Sequence, residues 1–187
     1  MNKIKTGAKS RRSAAREIAY IALSVSLITV CAWISVPVAA IPVTLQTFAV
    51  ALIGALMGWK RALAAVAAYL VMGLVGIPVF TGFKAGVATL MGATGGYIFG
   101  FAFLALLPAL FKMLPLKNKW GRTALFYGAS VLGMAICYLF GTAWFVLMYK
   151  CTFVYALTVC VVPYILPDAV KFVFSSIIAV RLEKQIK

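Results

Sequence analysis

Pro163-Tyr164-Ile165-Leu166-Pro167-Asp168-Ala169-Val170-Lys171, followed by an apolar run to Val180, is the stretch on which the reading of this chain turns. The sequence holds three acidic residues, and the other two, Glu17 and Glu183, lie near its charged ends. Asp168 is thus the one carboxylate inside an apolar body, with Lys171 three residues later. Positions i and i+3 of a helix share a face, so the two can act together. An ionisable group within a membrane segment is costly and marks a functional site by default. The stretch reads as the entry to a last membrane helix, broken off from what precedes it by Pro163 and Pro167. Asp168 is its expected N-cap, since an aspartate suits the positive end of a helix.

Composition agrees with a membrane housing for this pair. Hydrophobic residues make up 65% of the 187 residues and charged ones 11%, and the mean hydropathy is +1.06. Ordinary soluble domains are about half apolar and a quarter charged. The expected class is therefore an all-α integral membrane protein, with residues 1–16 a basic cytoplasmic tail and 17–187 a single six-helix transmembrane domain. A net charge of +15 would favour nucleic acid only if the basic residues shared one face. Instead they fall between apolar stretches. There is no histidine, and Cys31, Cys137, Cys151 and Cys160 form no C-x-x-C, so zinc and redox sites are set aside and the cysteines read as small apolar residues.

Taken in order, the expected helices cover 17–36, 47–57, 62–76, 96–111, 123–149 and a last one from Asp168 onward, with a short apolar segment at 151–162. The first apolar run exceeds the usual length of a secretory signal core and is read as a retained membrane helix. On it Ala15, Ala19, Ala22 and Ser26 form a stripe of small side chains, which admits a closely approaching helix from this bundle or from another subunit. Residues 76–97 form the longest irregular stretch, with six glycines from Gly76 to Gly96. Irregular backbone at membrane depth must be buried in protein or line a wet cavity, so this segment is the candidate binding loop.

Basic residues fix an expected orientation. Those of the tail, Lys60-Arg61, the 112–122 loop and the C-terminal end all fall on one side. Only Lys84 and Lys150 fall on the other, and Lys171 lies within the membrane. The positive-inside rule then places both termini in the cytoplasm. Thirteen residues from Asp168 to Arg181 amount to about 20 Å of helix, which puts Asp168 in the outer part of the membrane, beside the glycine-rich loop.

A carboxylate that accepts from N–H groups and an ammonium that donates to oxygens suit a small polar solute with an apolar body. A purely structural ion pair is the other reading. The sequence has no G-x-x-x-x-G-K-[ST] phosphate loop and no series of acids or histidines to relay protons. Energy for transport would have to come from partners, or the chain works as an oligomer. Without a visible acid–base pair or activated nucleophile, an enzyme is not expected.

Four motifs in register, Ile41-Pro42-Val43-Thr44-Leu45-Gln46, Gly76-Ile77-Pro78-Val79-Phe80, Gly92-Ala93-Thr94-Gly95-Gly96-Tyr97-Ile98-Phe99-Gly100-Phe101 and Leu166-Pro167-Asp168-Ala169-Val170-Lys171, resemble the signatures of the BioY family. These are the biotin-binding S components of energy-coupling-factor (ECF) transporters. The resemblance implies a six-helix S-component bundle in the plasma membrane of a bacterium, capturing biotin at its outer face. It also implies a transmembrane coupling subunit and two cytoplasmic ATPases as partners, and no cofactor. By the same resemblance Asp168 and Lys171 face biotin, and the loops carrying Gln46 and Phe80 to Lys84, with Gly82 at the turn, close over it. Phe80, Phe83 and Tyr97 would meet its ring and chain, and Ala19, Ala22 and Ser26 would meet the coupling subunit.

The chain departs from the family at three places. Ala93 stands where relatives usually have proline, Ser26 takes one of two usual alanine positions, and Phe83-Lys84 replaces glycine-rich sequence. The last change places a charge in the lid, where Lys84 would pair with biotin's valerate carboxylate or stand as a solvated loop charge. The alternative to an ATP-driven complex is a stand-alone oligomeric biotin transporter or channel.

Overall fold

Nothing before Pro37 interrupts a helix, and lysine, arginine and alanine are all good helix formers. In the computed structural model, which describes residues 2–38, 41–115 and 118–186, helix α1 accordingly runs over Asn2–Trp33. The backbone of the basic segment is therefore helical as well and runs into the apolar stretch without a break. After α1 comes a small hairpin that the sequence did not announce. β1 (Ser35–Val36) pairs antiparallel with β2 (Val43–Thr44), Ser35 opposite Thr44 and Val36 opposite Val43. Pro37 and Pro42 sit just outside the paired residues, where a missing N–H costs no ladder bond.

Helices α2 (Gln46–Leu56) and α3 (Trp59–Leu74) follow across the short Gly58 turn. The glycine-rich stretch is less irregular than its composition implied. It holds a 3-10 turn at Thr81–Phe83 and a short helix α4 (Val87–Leu90) before α5 (Gly95–Phe111). The Asn118 side chain accepts from the Trp120 N–H at 3.2 Å and so caps α6 (Lys119–Tyr149), which starts four residues earlier than expected. Thr152 caps α7 (Phe153–Cys160) in the same way, and α8 covers Val162–Ile186.

Asp168 is not an N-cap. It lies inside α8, because the break falls at Val161, where α7 and α8 meet at a 44° bend. Pro163 occupies the first turn of α8, where its missing N–H would have been unpaired in any case. The prolines therefore open the helix without ending it.

Among the described residues, length and composition assign two membrane-crossing helices, within Ala14–Trp33 and Lys119–Tyr149, or three with the bent α7–α8 pair counted as one. Six were expected. The apolar helices α2 and α5 are shorter, with 11 and 17 residues, and fall outside a count by length.

Packing is most extensive between α5 and α6, and α2 lies against both α5 and α8 while α1 lies against α3. Ile28, Val50, Tyr69, Leu104, Cys137 and Phe172 are fully buried representatives of one core to which all the long helices contribute. Outward-facing Leu139, Leu147, Val154, Leu166 and Phe174 stay exposed, as lipid-facing residues should. All three acidic residues are in ion pairs. Glu17 with Arg61 ties α1 to α3, Glu183 with Arg122 at 2.6 Å ties α8 to α6, and Asp168 pairs with Lys171. The Lys112 ammonium donates to the Leu56 carbonyl at the C-terminal end of α2.

Candidate functional site

A cavity of about 550 Å³ opens at the end of the bundle where α2, α5 and α8 begin and α6 ends. Its size falls in the range of small-molecule sites. The hairpin strand β2 and the segment from Phe80 to Thr94 border it, together with side chains of α6 and α8.

Asp168 and Lys171 stand in its wall as neighbours on one face of α8. Lys171 Nζ lies 2.8 Å from Asp168 Oδ1. The same oxygen accepts from Thr47 Oγ1 at 2.8 Å, and Oδ2 accepts from the Tyr138 hydroxyl at 2.5 Å. Lys171 Nζ also donates to Thr47 Oγ1 at 3.4 Å. Two helices besides α8 thus hold the carboxylate: α2 supplies Thr47 and α6 supplies Tyr138. With the residue 5% exposed, an unpaired charge would be strongly unfavourable here, and two hydroxyl donors plus the Lys171 counter-ion are what make it tolerable.

Gln46, one residue before Thr47, also lines the cavity. Its amide Nε2 donates to the Tyr69 hydroxyl at 2.5 Å, and that hydroxyl donates to the Val79 carbonyl at 3.1 Å. Phe80 presents an edge to the Tyr69 ring, with centroids 5.4 Å apart. Behind Phe80 stands Gly73, where a Cβ would lie 1.9 Å from a ring carbon, so only glycine leaves room for the ring. Tyr97 lies against Gly141 in a similar way, with its hydroxyl 3.3 Å from Thr142 Oγ1. Tyr164 donates to the Ile41 carbonyl and thereby ties α8 to the hairpin loop.

The loop from Phe80 to Lys84 closes on itself, with the Phe80 N–H bonded to the Lys84 carbonyl at 3.0 Å. Gly82 and Phe83 both adopt positive φ, +71° and +59°. The Lys84 side chain borders the cavity. Because all three acidic side chains pair with other cations, Lys84 has no acidic partner among the described residues. The Asp168–Lys171 pair is neutral as a unit, so Lys84 leaves the cavity net positive and suited to an anionic group.

Six of the eight expected ligand-facing residues therefore border one cavity: Asp168, Lys171, Lys84, Gln46, Phe80 and Tyr97. Gly82 and Phe83 do not border it. Phe83 is exposed and turned away, its ring tilted at 31° against that of Trp33 with centroids 4.8 Å apart, and the Trp33 indole N–H is bonded to the Pro78 carbonyl. Sequence reasoning missed Thr47, Tyr69 and Tyr138. A signal existed for Tyr138, since a tyrosine in the middle of an apolar helix needs a partner for its hydroxyl. On α1, Ala15, Ala19, Ala22 and Ser26 are exposed, so the stripe does not serve packing within the bundle.

The BioY family model matches residues 3–187. "Probable biotin transporter BioY" of Pyrococcus horikoshii is 38% identical over 169 residues, covering 90% of this chain and 97% of that one. "Biotin transporter BioY" of Thermotoga maritima is 38% identical over 170 residues, 90% of this chain and 96% of its own. Among solved structures, the S-component for biotin from an ECF-type ABC transporter superposes with a TM-score of 0.82 over 93% of this chain and 94% of that chain. At 24% identity that likeness speaks for the fold: the helices described above form an S-component-like bundle. These relatives carry the names of transporters, a role without chemical turnover.

Proposed function

This chain belongs to the BioY family, and we propose that it is a high-affinity biotin-binding S component of an ECF-type importer, capturing biotin at the outer face of the cell membrane. The observation that carries the proposal is the Asp168–Lys171 pair set in the wall of the cavity by Thr47 and Tyr138. Biotin's ureido group offers N–H donors to Asp168 and a carbonyl to Lys171. Its carboxylate suits Lys84, and its apolar rings and chain suit Phe80 and Tyr97. A coupling subunit would dock on the exposed Ala19, Ala22 and Ser26 face of α1, and two ATPases would supply the energy for which this sequence has no nucleotide motif. Six spans with both termini inside would place Lys84 and the cavity mouth outside.

Titrating the purified chain with biotin tests the reading. Saturable binding is expected, weakened more than tenfold by Asp168→Asn or Lys171→Ala, since a hydrogen bond to a charged group contributes about 1.5–3 kcal/mol. Failure of the unaltered chain to bind, or full binding by both variants, would remove the proposal.

The exposed small-residue stripe would also accept a second copy of the chain, which supports a second reading as a stand-alone oligomeric transporter. Biotin uptake by liposomes holding this chain alone favours that reading. Uptake only with the ATP-driven module favours the first.

A further inference from the structure

We infer that Tyr69, which does not border the cavity, is a positioning residue that fixes Gln46 as a hydrogen-bond acceptor toward the ligand, so that the site reads a ligand N–H at that point. The inference rests on the biotin reading above and specifies how part of the ligand is recognised.

Tyr69 is fully buried, and its hydroxyl has two neighbours, Gln46 Nε2 at 2.5 Å and the Val79 carbonyl at 3.1 Å. The nitrogen and oxygen of a glutamine amide are nearly indistinguishable by shape, but here chemistry decides between them. A backbone carbonyl only accepts, and a phenol has one proton. That proton goes to Val79, so the phenol oxygen must receive from Gln46, and the amide edge toward Tyr69 must be the NH₂. The Gln46 oxygen is then turned away from Tyr69.

Among the described residues no donor reaches Gln46 Oε1, and none of their buried side-chain polar atoms lacks a partner. The oxygen is therefore open, on a side chain that borders the cavity. An acceptor held there takes N–H or O–H groups and repels carbonyls.

Asp168 completes the count. A carboxylate has about four acceptor positions. Thr47, Lys171 and Tyr138 fill three of them. One position on Asp168 and the Gln46 oxygen remain, which matches the two N–H groups of a ureido ring. Tyr69 also carries the Phe80 ring edge-on, so one buried side chain orients both this reader and part of the lid.

The test is binding of biotin and of its two mono-N-methyl ureido derivatives to the full purified chain, as wild type, Tyr69→Phe, Gln46→Met and the double variant. In the wild type both methylated ligands should bind more weakly than biotin. Tyr69→Phe should weaken biotin about tenfold, the scale of one lost oriented hydrogen bond, and should erase the penalty for methylating one of the two nitrogens. Gln46→Met should show the same selective pattern, and the double variant should lose nothing more.

Equal losses for all three ligands in Tyr69→Phe would mark a packing role and overturn the inference. So would additive losses in the double variant, or an unchanged methylation penalty in Gln46→Met, the variant that decides if Tyr69→Phe does not fold. A wild-type chain that does not bind biotin would instead remove the ligand assignment on which the inference stands.

Discussion

Asp168 accepts at both oxygens, at one from Thr47 and Lys171 and at the other from Tyr138. A buried pair of this kind is held at a cost in desolvation, and removing one partner is worse than removing both. Lys171→Ala should therefore destabilise the protein by about 3–5 kcal/mol, while Asp168→Asn combined with Lys171→Met should recover most of that loss. Unfolding in detergent at fixed composition measures both. A double variant no more stable than Lys171→Ala would show that Asp168 and Lys171 do not act as a unit. The spacing of Asp168 and Lys171 was legible in the sequence because i and i+3 on a helix are adjacent wherever the helix sits. Thr47, 121 residues from Asp168 along the chain, was not, because nothing local brings α2 to α8.

At the scale of elements, the lid is positioned by contact between α3 and the loop that follows it. Phe80 fills the space that Gly73 leaves open and rests on Tyr69. Gly73→Ala puts a methyl into that ring, and overpacking of this kind costs about 1–3 kcal/mol. The expected outcome is a lower unfolding midpoint together with weaker biotin binding, because the displaced ring borders the cavity. Unchanged binding would show that Phe80 can move without cost to the site. The glycine-rich composition of 76–97 marked a loop correctly. That it closes through a Phe80–Lys84 bridge and aims Phe83 outward at Trp33 depends on α1 lying beside it. The N-cap assigned to Asp168 failed for a local reason: two prolines near a helix start are compatible with its first turns, and the break moved to Val161.

For the molecule as a whole, charge divides the two ends. The Arg61–Glu17 and Arg122–Glu183 pairs and Lys112 lie away from the cavity, and Lys84 lies at it. About 22 Å of α8 separate Asp168 from Glu183 at 1.5 Å per residue, most of the depth of a bilayer core. If the basic end is cytoplasmic, a cysteine introduced by Lys84→Cys should react with a membrane-impermeant maleimide in intact cells. One introduced by Lys60→Cys should react only after permeabilisation, both in a background with Cys151→Ala. The reverse pattern would invert the proposed topology and with it the direction of capture.

The sequence by itself determined the membrane class, the α8 pair, the division of charge and, through four motifs in register, the family. Each of these follows from composition or from contacts between near neighbours in the chain. Only the tertiary structure decided which donors hold Asp168, which way the Gln46 amide faces, that Phe83 leaves the cavity while Lys84 borders it, and that the basic segment continues α1. Those outcomes depend on α2, α3, α6 and α8 meeting at one end of the bundle. Hydrogen bonds between residues far apart in sequence are fixed by packing, not by any local pattern.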